Sequence, residues 1–171
     1  MAATRTSVLG VTLVELMVGV IVAGILAVVV LPQLTEHRGE ARVSVLDASL
    51  AEMRSAIELY AYQHGGTYPG VRDGEDPTRP SAQPAEDFLQ QLTQYTDARG
   101  AVRRSRDPNH RLGPYLRKKE LPRNPFTNSN TLGIVADADA VVPPPADGET
   151  AWRFALQTGR FYANQPGHET R

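Results

Sequence analysis

Twenty consecutive residues without a charge, from Leu16 to Thr35, constrain this 171-residue chain more than any other feature. A helix of that length is about 30 Å long, enough to cross the hydrocarbon core of a bilayer. Most of the remaining sequence is polar and rich in glycine and proline. We therefore expect a membrane-spanning helix followed by one soluble domain. The chain contains no cysteine, which excludes a disulfide framework, a thiol nucleophile and a thiolate metal site.

Three kinds of N-terminal segment fit such a stretch: a cleaved signal peptide, a plain single-pass anchor, and an anchor that also packs into an assembly. The apolar run exceeds the about 7–15 residues of a signal-peptide core. No small-residue cleavage site closes the run before Pro32. Arg5 is the one charged side chain among the first ten residues. The positive-inside rule then predicts a cytoplasmic N-terminus, with the rest of the chain beyond Thr35 on the far side.

Glu15 lies just inside the apolar stretch, where an unpaired carboxylate is costly. No base is near it, since Arg5 lies ten residues upstream and Arg38 lies at the opposite end. A cut after Gly10 would free an amine on Val11, four residues before Glu15. We expect this amine of one subunit to neutralise Glu15 of a neighbouring subunit, because the attraction between charges is strong where the dielectric is low.

The stretch GVTLVELMVGVIVAGILAVVVLPQL resembles the N-terminus of type IV pilins and of the pseudopilins of type II secretion. That family has a short basic leader ending in glycine, then a hydrophobic residue, threonine, two apolar residues and glutamate. The resemblance implies that residues 1–10 are a leader removed by a prepilin peptidase. It also implies that Val11 becomes the N-methylated first residue, that Glu15 is the assembly acid and that Pro32 kinks the helix. Val11 departs from the family, which more often has Phe or Met there.

An amphipathic helix is predicted to continue the apolar one. We expect residues 11–34 to form the membrane-spanning assembly helix, residues 35–64 its amphipathic continuation, and residues 65–171 a periplasmic globular head. Gly65 and Gly66 supply a terminating conformation. Apolar or aromatic side chains recur every three or four positions on one face of the continuation, which indicates a buried helical face: Val43, Leu46, Leu50, Met53, Ile57, Tyr60 and His64.

The predicted fold is α+β and pilin-like: a long bent N-terminal helix, membrane-spanning in its first half, packed on a small antiparallel β-sheet head. Helical spacing of Phe88, Leu89, Leu92 and Tyr95 predicts a short helix within Ala85–Asp97.

Alternation of apolar residues predicts a β-hairpin near the C-terminal end of the sequence. The apolar positions are Trp152, Phe154 and Leu156, a turn follows at Thr158–Gly159, and the pattern resumes at Phe161.

Two further segments, Leu59–Gly70 and Gly113–Thr131, are similar to parts of pseudopilins. In the first segment, Tyr60, Tyr62 and Tyr68 are expected to pack at the junction of helix and head.

Two groups of charged residues are candidates for binding. Asp137, Asp139 and Asp147 lie close in sequence, and the resemblance implies a calcium site there; solvated loop acids are the alternative.

A basic run between residues 98 and 119 carries a net charge of +7 and attracts anions, DNA among them. No aromatic residue interleaves its first part, so we expect no nucleic-acid partner. The run consists of Arg99, Arg103, Arg104, Arg106, Arg111, Arg117, Lys118 and Lys119, opposed by Asp107.

No motif for a nucleophile, a phosphate loop or a zinc protease is present, so we expect no enzyme. The sequence predicts a structural filament subunit, with a type II secretion pseudopilin favoured over a type IV pilin used for adhesion, motility or DNA uptake. A membrane-anchored binding domain that never assembles is the alternative of another class. The expected partners are the prepilin peptidase, other copies and other pseudopilins, and an inner-membrane assembly platform with its ATPase.

Overall fold

The computed structural model describes residues 12–135 and 146–168, without the side chains of residues 27–38. Its secondary structure is α+β, as predicted. The two described helices are α1 (Leu13–Gln63) and α2 (Pro84–Thr93), and the described strands are β1 (Tyr95–Thr96), β2 (Val102–Arg103), β3 (Leu132–Val135), β4 (Trp152–Ala155) and β5 (Phe161–Ala163). The chain divides into two compact units, Met1–Ala41 and Arg42–Arg171.

The first unit consists, where described, of the N-terminal part of α1. Thr12 caps this helix, because its hydroxyl accepts the backbone N–H of Glu15 at 3.2 Å. The helix continues through Pro32 without a break, and the predicted kink there stays a prediction. Within the residues that the structure describes, no helix is both long enough and apolar enough to cross a membrane.

In the second unit, the remainder of α1 buries the face that the sequence predicts. Leu46, Leu50, Met53, Ile57 and Tyr60 are each at most 2% exposed and belong to the main apolar core. At the end of the helix, two consecutive glycines adopt positive φ angles and the second donates its N–H to the carbonyl of Ala61 at 2.8 Å. The predicted helical face is therefore confirmed from Leu46 to Tyr60, as is its glycine terminator, whereas Val43 is half-buried.

The expectation that three tyrosines pack at this junction is correct for two of them. Tyr60 is buried and Tyr68 packs against the core, whereas Tyr62 is 87% exposed. Tyr62 lies two positions from Tyr60, so it projects from a different side of the helix.

Helix α2 is shorter than the predicted segment Ala85–Asp97. It starts with a proline in its first turn and buries Phe88 and Leu92 in the core. Residues Tyr95 and Thr96 leave the helix and form β1, which pairs antiparallel with β2. Backbone bonds in both directions join Thr96 to Leu112, at 2.9 and 3.1 Å, and this pairing outweighs the helical spacing of the apolar residues.

The predicted hairpin is confirmed as β4 and β5, in which Phe154 lies opposite Phe161. Leu156 falls just after the strand rather than within it. Gly159, in the turn, has a φ of +68°, and a side chain there would collide with the ring of Tyr68. Glycine is therefore required by the turn and by the close approach of Tyr68.

The predicted antiparallel pairing holds for β4 with β5 but not for β3, which pairs with β4 in parallel, with Leu132 opposite Trp152. Parallel neighbours need a connection of about a dozen residues or more, and residues 136–151 provide that length. The order of this sheet is β3-β4-β5. The sheet shares its core with α1, and Arg54 on the helix donates to the carbonyl of Phe161 at 3.1 Å.

Candidate functional site

The N-terminal part of α1 exposes an unusual amount of apolar surface. Soluble proteins rarely leave contiguous apolar patches uncovered, and such patches mark sites of association. The exposed side chains, between 49% and 75% accessible, are Leu13, Val14, Leu16, Met17, Val18, Val20, Ile21, Val22, Ile25 and Leu26. They surround the helix, so this part of α1 can contact apolar partners on more than one side.

Glu15 is the one acid of this surface and lies in the first turn of the helix. A carboxylate there interacts favourably with the positive end of the helix dipole. Residues 12–26, whose side chains the structure describes, include no lysine or arginine. Helix α1 therefore presents a single anionic side chain within an apolar surface that contains no cation of its own.

The predicted cleavage and methylation positions, Gly10 and Val11, lie outside the described residues. Their roles stay predictions. The structure shows that helix α1 begins directly after Thr12, so that Glu15 lies in its first turn.

Of the three predicted calcium ligands, Asp137 and Asp139 lie outside the described residues, and Asp147 is already bound by protein groups. Its Oδ1 accepts from the side-chain amide of Asn164 at 2.6 Å, and its Oδ2 forms an ion pair with the guanidinium of Arg153. Hydrogen bonds from Asn164, the backbone of Glu149 and Arg153 lower the pKa of Asp147. Within the described ranges, no three His, Asp or Glu side chains are grouped to hold a metal. The calcium site stays a prediction.

Arg153 and Asn164 were missed by the sequence prediction. Arg153 is 8% exposed and lies between Trp152 and Phe154 in a strand whose four residues are all buried. An arginine inside an apolar strand is rarely buried without a partner, and that signal was available from the sequence. The partner itself was not predictable, because Asp147 approaches Arg153 only through the loop before β4.

All eight cations of the basic run are exposed. Five of them lie between β1 and Leu112, on a loop that closes against the rest of the unit through the pairing of Thr96 with Leu112. We call the segment Arg99–Arg111 the arginine loop. The other three cations, at residues 117–119, lie outside this loop, after Leu112.

Comparisons with known proteins give one partial similarity. Over 65 residues the chain is 34% identical to the type II secretion system core protein G of Pseudomonas aeruginosa. The aligned region covers 38% of this chain and 45% of that protein, so the chain spans less than half the length of this curated relative. No protein-family model matches the chain, and no solved structure matches it. The similarity agrees with the family that the N-terminal motif resembles.

Proposed function

We propose that this chain is the structural subunit of a filament of the type II secretion pseudopilus kind. The observation that carries the proposal is the N-terminal part of α1, where a lone carboxylate lies within an exposed apolar helical surface. Such a surface needs other apolar helices or lipid to cover it, and its acid needs a cation. The similarity to a secretion system core protein supports a secretion-related, pilin-like role.

The proposed assembly depends on processing. A prepilin peptidase cuts after Gly10 and methylates Val11, and the new amine of one subunit neutralises Glu15 of the next. Before assembly the chain is a single-pass protein of the bacterial inner membrane, with its N-terminus in the cytoplasm and its head in the periplasm. An assembly platform with its ATPase then moves the subunit into a filament together with other copies and other pseudopilins. No catalytic activity is proposed for the chain itself.

Two other functions make different predictions. A type IV pilin, major or minor, would be processed in the same way and would appear in long surface filaments used for adhesion, motility or DNA uptake. A membrane-anchored binding domain would keep its first ten residues and stay monomeric in detergent. The absence of cysteine favours the pseudopilin over pilins that close a C-terminal loop with a disulfide.

The deciding experiment is mass spectrometry of this chain from periplasmic or surface filaments of the organism that makes it. We expect a first residue at Val11 that carries a methyl group, and we expect the chain to be a main constituent of the filaments. Finding the intact N-terminus in assembled filaments would contradict the proposal, since the cation that pairs with Glu15 would be missing.

A further inference from the structure

Two segments of opposite charge lie side by side in the unit Arg42–Arg171. Residues 98–119 contain eight lysines and arginines and one acid, whereas residues 73–97 contain six acids and one base, Arg79. The two segments are joined where the backbone N–H of Val102 donates to the carbonyl of Gly74 at 2.7 Å. One edge of this unit is therefore bipolar.

The arginine loop is held in a fixed shape by two aspartates. Asp97 accepts the backbone N–H groups of Arg99 at 2.8 Å and of Ala101 at 2.9 Å. Asp107, the one acid within the loop, accepts the backbone N–H of His110 at 2.8 Å and also the His110 ring at 3.0 Å. Asp97 and Asp107 are thus used in shaping the loop, as is Arg111, whose Nε donates to the carbonyl of Pro108 at 2.7 Å.

Three of these guanidiniums, on Arg103, Arg104 and Arg106, are exposed, and no residue in the described parts of the chain forms an ion pair with them. Arg99 is also exposed and lines a polar cleft of about 420 Å³ next to Arg72. A guanidinium offers several donors in a plane and binds carboxylates or phosphates through paired hydrogen bonds. The loop therefore presents exposed guanidiniums on a backbone that hydrogen bonds hold in shape.

The neighbouring acidic segment also contains exposed carboxylates that form no ion pair with any residue the structure describes. We call residues 73–87 the acidic edge. Asp73 and Asp87 shape it, since they accept the backbone N–H groups of Glu75 at 2.8 Å and Gly74 at 3.1 Å. Glu75 and Glu86 are exposed, line a shallow depression of about 170 Å³, and have no ion pair within the described residues.

We propose that the arginine loop of one molecule binds the acidic edge of a second copy of this chain. The adjacency of the two charged segments favours this occupant over an extended polyanion. A membrane surface or a DNA duplex large enough to cover the loop would also meet Glu75 and Glu86 beside it and be repelled. A second copy instead places its acidic edge against the arginine loop, and its own loop stays open to a third copy. The contact rests on the proposed function, in which it joins neighbouring subunits through their heads.

Paired charge reversals in the full chain test the contact. We expect R104E/R106E to reduce filament yield at least tenfold, and E75R/E86R to do the same. Filaments should return to within twofold of the wild type when both variants are expressed together, because the reversed surfaces again complement each other. R117E/K118E is the matched control: it makes the same charge change at exposed positions outside the loop, and its yield should stay within twofold of the wild type.

Three outcomes would overturn the contact: normal filaments from either reversed variant, no recovery in the mixture, or an equal loss in the control variant. The proposed function fails separately, because it requires the wild-type chain to form filaments at all.

A second readout does not depend on filaments. Because the chain has no cysteine, single cysteines report contact cleanly. Full-length R104C and E86C, purified separately in detergent and mixed under mild oxidation, should form the mixed disulfide at least tenfold more than R117C mixed with E86C. Equal cross-linking of the two mixtures would overturn the contact. So would binding of the wild-type chain to phosphatidylglycerol vesicles or duplex DNA that is lost in R104E/R106E while the cross-link fails to form.

Discussion

His64 links the end of helix α1 to strand β1 through a buried ring. Its Nδ1 faces the carbonyl of Tyr60 at 2.8 Å, and its Nε2 lies 3.1 Å from the hydroxyl of Thr96. A carbonyl can only accept, so Nδ1 carries a proton; in the neutral ring, Nε2 then accepts from the hydroxyl of Thr96. The ring also stacks on Tyr60 with centroids 3.8 Å apart. Both ring nitrogens therefore have hydrogen-bond partners inside the protein.

Burial lowers the pKa of His64 below its usual value of 6.5. As the pH falls below 6.5, the unfolded chain takes up a proton that the folded chain does not, so the folded state loses stability. We expect the thermal midpoint of the full chain to fall between pH 7.5 and pH 5, and H64Q to reduce that fall. H168Q makes the same substitution away from this site and serves as the control for the change of side chain itself. An unchanged pH profile in H64Q, measured by circular dichroism, would contradict this assignment.

The ion pair between Asp147 and Arg153 stabilises the loop before β4. Asn164, Glu149 and Arg153 lower the pKa of Asp147, so its ionised form stabilises the fold above its usual pKa, and that stability is lost as the pH falls through the lowered value. We expect D147N to lower the thermal midpoint at pH 7 and to reduce its further decline in acid. The measurement is repeated with calcium and with EDTA. An equal drop in both assigns the effect to Arg153 and Asn164, and a drop only with calcium would show that a metal holds this loop.

At the scale of elements, the second part of helix α1 supports the sheet through one face alone. Leu50 is 2% exposed within the core, whereas Leu59 on the same helix is 48% exposed. We expect L50A to lower the free energy of unfolding by about 2–5 kcal/mol, because it removes buried apolar contacts and leaves a cavity. L59A makes the same chemical change at the surface and should cost within about 0.5 kcal/mol. Chemical denaturation of both variants compares them, and similar losses would contradict the assigned face.

Local patterns were sufficient for some of these elements and not for others. The buried face of α1 follows from spacing along one helix, and the β4–β5 hairpin follows from alternation around a short turn. The spacing of Phe88, Leu92 and Tyr95 predicts a helix where β1 forms, because that spacing does not encode the backbone bonds from β1 to Leu112. The parallel pairing of β3 has the same origin, since it is set by a partner 20 residues away in the chain, as Leu132 opposite Trp152.

The candidate site also contains residues that sequence alone identifies and residues that only the fold reveals. Glu15 was identifiable from sequence, because a lone acid next to a long uncharged stretch is conspicuous without any tertiary information. The partners of Asp147 were not, because Arg153 and Asn164 reach it from β4 and from the end of β5. The bipolar edge also required the fold, since sequence gives the two charges but not the bond that places Val102 beside Gly74.

At the scale of the whole molecule, the proposed assembly depends on a charge that lies outside the core cluster of buried residues. Glu15 is exposed in the first unit, and the core lies in the second. Removing its charge should therefore leave the core of the second unit intact, with only the small helix-dipole contribution lost, and act mainly on association. This separation makes the proposed function testable without the ambiguity of a misfolded variant.

We expect E15V to give normal amounts of membrane-associated, correctly processed protein but to reduce filaments at least tenfold, because the amine of Val11 on a neighbouring subunit loses its counter-charge in a surrounding of low dielectric. E52V is the matched control, since Glu52 is an exposed acid on the same helix in the second unit. It should assemble to within twofold of the wild type. E15D keeps the charge one methylene shorter and should fall between the two. Filament yield from sheared cells, with the thermal midpoint of each variant as a check on folding, measures the effect. Normal filaments from E15V would show that no amine needs this carboxylate, and the pilin-like mode of assembly would then be excluded for this chain.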